Sequence, residues 1–570
     1  MSDKMRPVPF QELLKQAVGE YREKGSFFYV PVIPVDSRIP KVRLSGRQVE
    51  APIGPAAGPH TQLAQNIVAA YAAGARYFEL KTVQVLEGES LGLIKPCIYV
   101  RDEAYNTEWS TELTVKEALK EYVKAWYLLK LLAEEFKLGD TEGFAFNMSV
   151  GYDLEGIRSE KIDNFIESMK NAAGTEIFKE CKRITLEHMD WFESVTEDYV
   201  KNIDPHISNT VSLSTMHGCP TEEIEAITTY LLTEKQLNTY LKCNPTLLGA
   251  TQVRKILDET GYGYVNFDEE IFEHDISFEA AVELIKRLQL KAESGQLEFG
   301  VKLTNTFPVK ISNGELAGEN MYMSGSALYP LTIGVAAKLG EALLGKLYIS
   351  YSGGADTGNI AAICETGICP VTVSTFLLKA GGYKNLSRLN RSLTDCLLKP
   401  DRLIRTDKLL ELAQRAVQDK NYHKPAERRQ KFRQQEYSYF CSKCRNCVDV
   451  CPNRANVRYE WENKKYTLHL DSLCNECGNC SCFCILGHEP YKEKFTVFAL
   501  RSDFMESRND GLYLEGENLA LRLNGKMYNE NQNGLIKIPE ETSDFIYHYK
   551  KAQEAFSKQQ MKDINKIISN

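Results

Sequence analysis

Nowhere in the 570 residues does a G-x-G-x-x-G open a strand–helix unit, so the chain shows no Rossmann fingerprint for NAD(P)H or FAD. No apolar run approaches the length needed to cross a bilayer, which argues against a membrane protein. The opening residues, MSDKMRPVPF, lack the apolar core of a secretory signal. Basic residues are not in excess: 69 Lys and Arg face 77 Asp and Glu, a formal charge of −8. With no Lys/Arg run interleaved with aromatics, a nucleic-acid surface is excluded. What remains, 43% apolar and 26% charged residues, is the composition of a soluble globular protein. At this length two or three domains are expected.

Cysteine is the residue in surplus, and its spacing is not random. The stretch CSKCRNCVDVCP places thiols at Cys441, Cys444, Cys447 and Cys451; CNECGNCSCFC repeats the spacing at Cys474, Cys477, Cys480 and Cys484. Two runs of C-x2-C-x2-C-x3-C are the ligand pattern of a ferredoxin with two [4Fe–4S] clusters, in which the fourth thiol of each run reaches the other cluster. The spacing therefore assigns Cys441, Cys444, Cys447 and Cys484 to one cluster and Cys474, Cys477, Cys480 and Cys451 to the other. Zinc ribbons need only four thiols, and a disulfide framework needs an oxidising compartment that nothing else supports. Ile485 stands where such a run usually has proline, and Cys482 is a spare thiol. The other cysteines are scattered, as reduced thiols in the cytoplasm would be.

Taken in order, residues 1–50 read as a lead-in with a helix at Phe10–Lys24 and a proline-rich extended piece near Val30–Pro40. Strand-length apolar runs then alternate with helical patterns. The runs are 51–56, 77–82, 144–150, 211–215, 240–244, 299–304, 347–352 and 371–375. Helices are predicted over 61–73, 115–136, 222–235, 278–293 and 331–343. Eight strand–helix repeats over residues 51–400 predict an α/β fold, a (β/α)8 TIM barrel, with an open doubly wound sheet as the other candidate. Residues 401–436, a helical stretch followed by a charged run, read as a linker. The ferredoxin domain takes 437–498, and 499–570 form a C-terminal extension with a helix near Tyr547–Gln560.

In such a barrel chemistry collects where the strands end. The first strand ends in PIGPAAGPH, whose Gly54 and Gly58 allow close backbone approach to a flat ligand. The second ends ELKTV and aims Lys81 at the mouth. The seventh ends SYSGGAD, where Gly353 and Gly354 can offer N–H groups to a phosphate beside Ser374 and Thr375.

GPAAGPH, ELKTV, KLTNT, MSGSALYPL and SYSGGA resemble the FMN-binding barrel of the dihydroorotate and dihydropyrimidine dehydrogenase superfamily. STMHGCP, GVKLTNT, CNECGNC and KFTVF resemble, over nearly the whole chain, the bacterial selenate reductase-type flavo-iron-sulfur oxidoreductases. Those relatives carry an FAD/NADPH domain between barrel and ferredoxin; here the barrel runs straight into the ferredoxin. The resemblance thus implies a hetero-oligomer with a separate FAD/NAD(P)H-binding subunit. It makes Lys81, Thr82 and Lys242 contacts of FMN and gives the phosphate to Gly353, Gly354 and Thr375. It also gives a ring substrate to Asn106 and Glu108 after the second strand, and to Asn305 and Thr306 after the sixth. An Asn/Glu set can donate and accept at a lactam edge.

The resemblance puts the proton donor on LSTMHGCP. A gap-free alignment sets Thr215 at the family's cysteine and His217 at its histidine, while Cys219 lies four residues on. A threonine hydroxyl is a poor acid unless relayed through His217. Cys219 and His217 have the better intrinsic values, and a small buried hydrophobe is the plain alternative for Cys219. The implied reaction is reduction of a nitrogen heterocycle by FMN fed from the clusters. The look-alikes point to a purine such as urate; a dihydropyrimidine-type reaction and a non-catalytic electron-transfer subunit are the alternatives. Selenate fits poorly, because no molybdenum ligand set is evident.

Overall fold

The computed structural model describes residues 4–529, except 102, 108–109, 215–217, 399–400, 426–440, 442–443, 462–463, 516–517 and 524. The helix predicted near Tyr547–Gln560 and most of the charged connector lie outside the described residues.

Every marked apolar run contains a parallel strand: β1 (Ile53–Pro55), β2 (Tyr77–Glu79), β3 (Ala145–Gly151), β4 (Thr210–Ser214), β5 (Asn238–Cys243), β6 (Phe299–Leu303), β7 (Tyr348–Tyr351) and β8 (Val371–Val373). The order is β1-β8-β7-β6-β5-β4-β3-β2. Across the remaining seam the Arg76 N–H donates to the Ile53 carbonyl at 3.0 Å. Gly54 permits this closure, because a Cβ there would stand 1.6 Å from the Tyr77 carbonyl oxygen. The architecture is therefore the (β/α)8 barrel, not the open sheet. Strands covered on both faces read as unbroken apolar runs, which is why they were legible.

The helices are α1 (Phe10–Lys24), α2 (Ala64–Ala72), α3 (Val115–Phe136), α4 (Thr221–Thr233), α5 (Phe278–Ser294), α6 (Tyr329–Ala342) and α7 (Thr406–Gln418). A capping box starts α3: Thr114 Oγ1 accepts the Glu117 N–H at 3.2 Å, and the Glu117 carboxylate accepts the Thr114 N–H at 2.9 Å. This helix buries Tyr122, Trp126 and Tyr127.

Three boundaries differ from the sequence reading. The lead-in is not a separate segment: its hairpin, Val42–Leu44 with Arg47–Val49, packs Val42, Leu44 and Val49 onto Tyr77, Ala145 and Cys369 and corks the N-terminal end of the barrel. Helix α7 is part of the barrel's outer layer, since Leu409, Leu412 and Ala416 are buried and α7 packs against α6. Its charged face hid that stripe. The boundary at 498 falls inside a sheet: the hairpin Asn456–Trp461 and Lys464–Leu470 continues through Thr496–Phe498 into Gly511–Glu515, Asn518–Leu523 and Lys526–Asn529.

Insertions after β2 and β6 build a second, antiparallel sheet of Ile98–Val100, Ala104–Asn106, Asn320–Ser324 and Phe307–Lys310. It roofs the C-terminal mouth of the barrel. The cysteine-rich region packs on this side too: the Ile98 N–H donates to the Cys477 carbonyl at 2.9 Å, and the Asn479 amide donates to the Leu378 carbonyl at 3.0 Å. The two ends of the described chain also meet. Arg6 pairs with the Asp503 carboxylate at 3.0 Å, its N–H donates to the Ser472 carbonyl at 2.7 Å, and Arg454 donates to the Phe28 carbonyl at 3.1 Å.

Candidate functional site

Between the strand ends and the roof lies a cavity of about 490 Å³, within the range of small-molecule and cofactor sites. Gly58, Lys81, Thr82, Lys242, Gly353, Gly354, Ser374 and Thr375 all line it, as do Asn106, Asn305 and Thr306. Six barrel strands and one roof strand thus bring positions far apart in sequence to one place.

The floor is charged. Lys242 lies opposite Lys302 in the β5–β6 register, and Lys302 opposite Ser350 of β7, so their side chains share the barrel interior. Lys302 Nζ sits 2.7 Å from the Glu79 carboxylate, and both are buried. Thr372 Oγ1 donates to the same carboxylate at 3.2 Å. Burial alone would raise the Glu79 carboxyl, but the Lys302 and Lys242 ammonium groups outweigh it and hold it below its ordinary value. Burial lowers both lysines in turn. Lys81 stands near enough to Lys242 to add to that lowering. Lys81 is fixed through its backbone, whose carbonyl accepts the Tyr122 hydroxyl at 2.7 Å; Thr82 and Ser149 hydroxyls pair at 2.8 Å.

At the other end the backbone comes close. Gly354 has φ +72, and a Cβ there would lie 2.4 Å from the Gly325 carbonyl oxygen. A Cβ on Gly58 would lie 2.6 Å from Ser374 Oγ. Ser324, Gly325, Ser326 and Lys379 join this wall, with Lys379 donating to Ser326 Oγ at 3.3 Å. Hydroxyls, a lysine and glycine N–H groups are the donor set a phosphate monoester needs. Replacing Gly354 with alanine is expected to cost about 1–3 kcal/mol of stability through strain. Thermal denaturation checks this; an unchanged midpoint would show that the close approach is dispensable.

The catalytic candidates fare differently. Thr215, His217 and Glu108 lie outside the described residues. Cys219 does not line the large cavity. It lines a separate space of about 30 Å³ beside Lys242 and Asn244, and its thiol lies 3.9 Å from the Glu223 carboxylate. Burial and that carboxylate push the thiol up to about 11.

The eight cluster cysteines form two groups. Burial pushes Cys447 up to about 12, with Cys444, Cys441 and Cys484 among the neighbours that add to it. Cys474 is pushed well up by burial and then by Cys451, Cys477 and Cys480. The two neighbourhoods adjoin, since Cys447 is also among the neighbours of Cys480. Among the described residues no three His, Cys, Asp or Glu converge tightly enough for a single ion; a cubane spreads its thiolates wider than one ion does. Ile98, Val100 and Leu378, which line the cavity, pack against Cys477. Cys482 accepts the Val100 N–H at 3.4 Å, in keeping with a spare thiol.

The family described as "Oxidoreductase YgfK, N-terminal TIM-barrel domain" matches residues 32–424. The chain belongs to this family. Curated relatives are YgfK of Escherichia coli strain K12 and of Escherichia coli O157:H7, each 48% identical over 411 residues, covering 69% of this chain and 39% of the relative. The chain thus spans about two fifths of the length of the curated relatives it matches. Among solved structures, ligand-free DHODH from Eimeria tenella covers 70% of this chain and 98% of its own at 14% identity, with a TM-score of 0.39. DHODH from Eimeria tenella in complex with ferulenol covers 70% and 93% at 13% identity, with a TM-score of 0.38. The YgfK-family match ends beyond α7, in line with that helix completing the barrel.

Several lining residues of this YgfK-family barrel escaped the sequence reading: Glu79, Tyr105, Gly325, Ser326 and Lys379. A lone charge inside an apolar strand run, as in YFEL and GVKL, was the available signal for Glu79 and its partner Lys302.

Proposed function

We propose that this chain is the iron–sulfur flavoprotein subunit of an oxidoreductase that reduces a planar nitrogen heterocycle, a purine such as urate. Bound FMN would supply hydride transfer and two [4Fe–4S] clusters one-electron transfer, with a separate FAD/NAD(P)H polypeptide as the electron source. The observation that carries this reading is the shared wall, in which Ile98, Val100 and Leu378 face the cavity on one side and Cys477 on the other.

The chain's own residues have separable tasks in this reading. Gly353, Gly354, Ser374, Thr375 and Lys379 hold the phosphate. Lys81 and Lys242 line the cavity beside the Glu79–Lys302 pair, where a lysine ammonium can meet a ligand that gains negative charge. Asn106, Asn305 and Thr306 orient the heterocycle, and the antiparallel roof keeps water out. The proton comes from the loop after β4, where Thr215 and His217 stand; Cys219 keeps its proton at neutral pH but lines the neighbouring space.

The test is an anaerobic preparation assayed for flavin and iron, then given reduced viologen with urate, uracil or selenate. Viologen oxidation with a heterocycle supports the reading, and the choice between urate and uracil separates purine from pyrimidine chemistry. Failure with every heterocycle overturns it. Iron without flavin would leave an electron-transfer subunit.

A further inference from the structure

Asp275 lies outside the lining of the large cavity, between the short helix Glu270–His274 and α5, and is buried. Among the described residues its carboxylate gathers three donors from two segments. One oxygen accepts the Gly218 N–H at 2.8 Å. The other accepts the Asn244 amide at 3.0 Å and the Thr246 hydroxyl at 2.7 Å. Asn244 in turn accepts, on Oδ1, an N–H of Asn305 at 2.7 Å. The Asn305 backbone is fixed as well, its N–H donating to the Cys243 carbonyl at 2.9 Å.

Direction matters in this relay. An amide side chain can be turned over to exchange its oxygen and nitrogen, and elsewhere either orientation can be satisfied. A carboxylate only accepts, so Asn244 must show its nitrogen to Asp275 and its oxygen to Asn305. Asn305 must then spend one N–H on Asn244. Its carbonyl oxygen and second N–H are left for the cavity, which Asn305 lines. Turning Asn305 over would set two amide oxygens against each other unless Asn244 turned too, and that would set an amide oxygen against a carboxylate.

We infer that Asp275 is a positioning residue that fixes the hydrogen-bonding polarity of Asn305, so that the cavity selects a ligand edge carrying an N–H beside a C=O, as a lactam or imide does. Such an edge gives its N–H to Asn305 Oδ1 and takes the remaining N–H on its carbonyl. The same carboxylate tethers Gly218, and so holds the loop after β4 in step with the residue that orients the ring. This inference rests on the heterocycle reading above and adds what the heterocycle must present.

The experiment measures binding of uric acid and its singly N-methylated derivatives to the flavin-loaded protein, by calorimetry under anaerobic conditions. The wild type is expected to bind uric acid and to lose about tenfold or more in affinity for at least one N-methyl derivative, because a buried acceptor is then left unpaired. Asp275→Asn keeps the shape but can donate, so both amides can turn; the discrimination is expected to fall toward unity while flavin content stays unchanged. Should that variant fail to fold, Asn244→Ala cuts the relay without touching Asp275 and is expected to erase the same discrimination. A purely structural role would lower stability without changing the ratio between ligands. Wild-type discrimination in either folded variant overturns the inference alone. Failure of the wild type to bind any of these heterocycles overturns it together with the heterocycle reading.

Discussion

Replacing Cys477 with serine is expected, on the proposed two-cluster reading, to remove about half of the iron and to disconnect the cavity from external one-electron donors. The thiol belongs to the group of Cys474, Cys451 and Cys480, and its backbone is bonded to Ile98. Ile98, Val100 and Leu378 share an apolar cluster with it and line the cavity. A cluster on this group is therefore the one that faces the cavity, whereas Cys444 of the other group is exposed to solvent. Cys444→Ser should cost as much iron yet leave the inner cluster in place. Cys482→Ser should cost none, since that thiol is outside both groups. Iron per chain, together with the rate at which bound flavin bleaches on mixing with reduced viologen, distinguishes the three. Full iron content in Cys477→Ser would remove this cysteine from the ligand set.

The other large effect is expected at the floor of the barrel. Glu79→Leu leaves Lys302 buried without its carboxylate, and breaking a buried pair from one side costs about 3–5 kcal/mol. Removing both charges in Glu79→Leu with Lys302→Met should recover much of that loss, because well-packed apolar residues of similar size replace buried pairs at little cost. Urea denaturation of the single and double variants measures the difference. The pH dependence has a fixed sign. The Glu79 carboxyl sits below its ordinary value of 4.5 in the folded chain. Its contribution is therefore complete above that value and is lost as the pH falls through the lower, folded one. The stability gap between wild type and Glu79→Gln should be constant near neutrality and shrink only on acidification below 4.5. A gap that instead shrinks on raising the pH through neutrality would mean that the pair is not ionised as described.

The barrel was legible because parallel strands buried on both faces leave uninterrupted apolar runs, and β1 to β8 fall on those runs. The repeated cysteine spacing was legible because its members are close in sequence. Other features depend on long-range register. Glu79 and Lys302 meet only when β2 and β6 are placed in one ring, and Asp275 reaches Asn244 and Gly218 across three loops, so no local spacing announces either. The roof was missed because its strands are three to five residues long and sit inside loops. Helix α7 was misassigned because its charged face dominated its composition, although the stripe of Leu409, Leu412 and Ala416 has helical spacing. Cys219 was drawn toward the site by its neighbours in sequence, while the turn at Gly218, with φ +78, leaves it on the smaller space.

The clasp of Arg6 on Asp503 and Ser472, with Phe28 held by Arg454, has a consequence for biosynthesis. A ribosome releases residues 6 and 28 long before residues 454 to 503 exist, so the N-terminal strap must wait for its partners. The strap locks only after the cysteine-rich part has emerged. Final locking of the strap therefore belongs to a late stage of the chain's maturation.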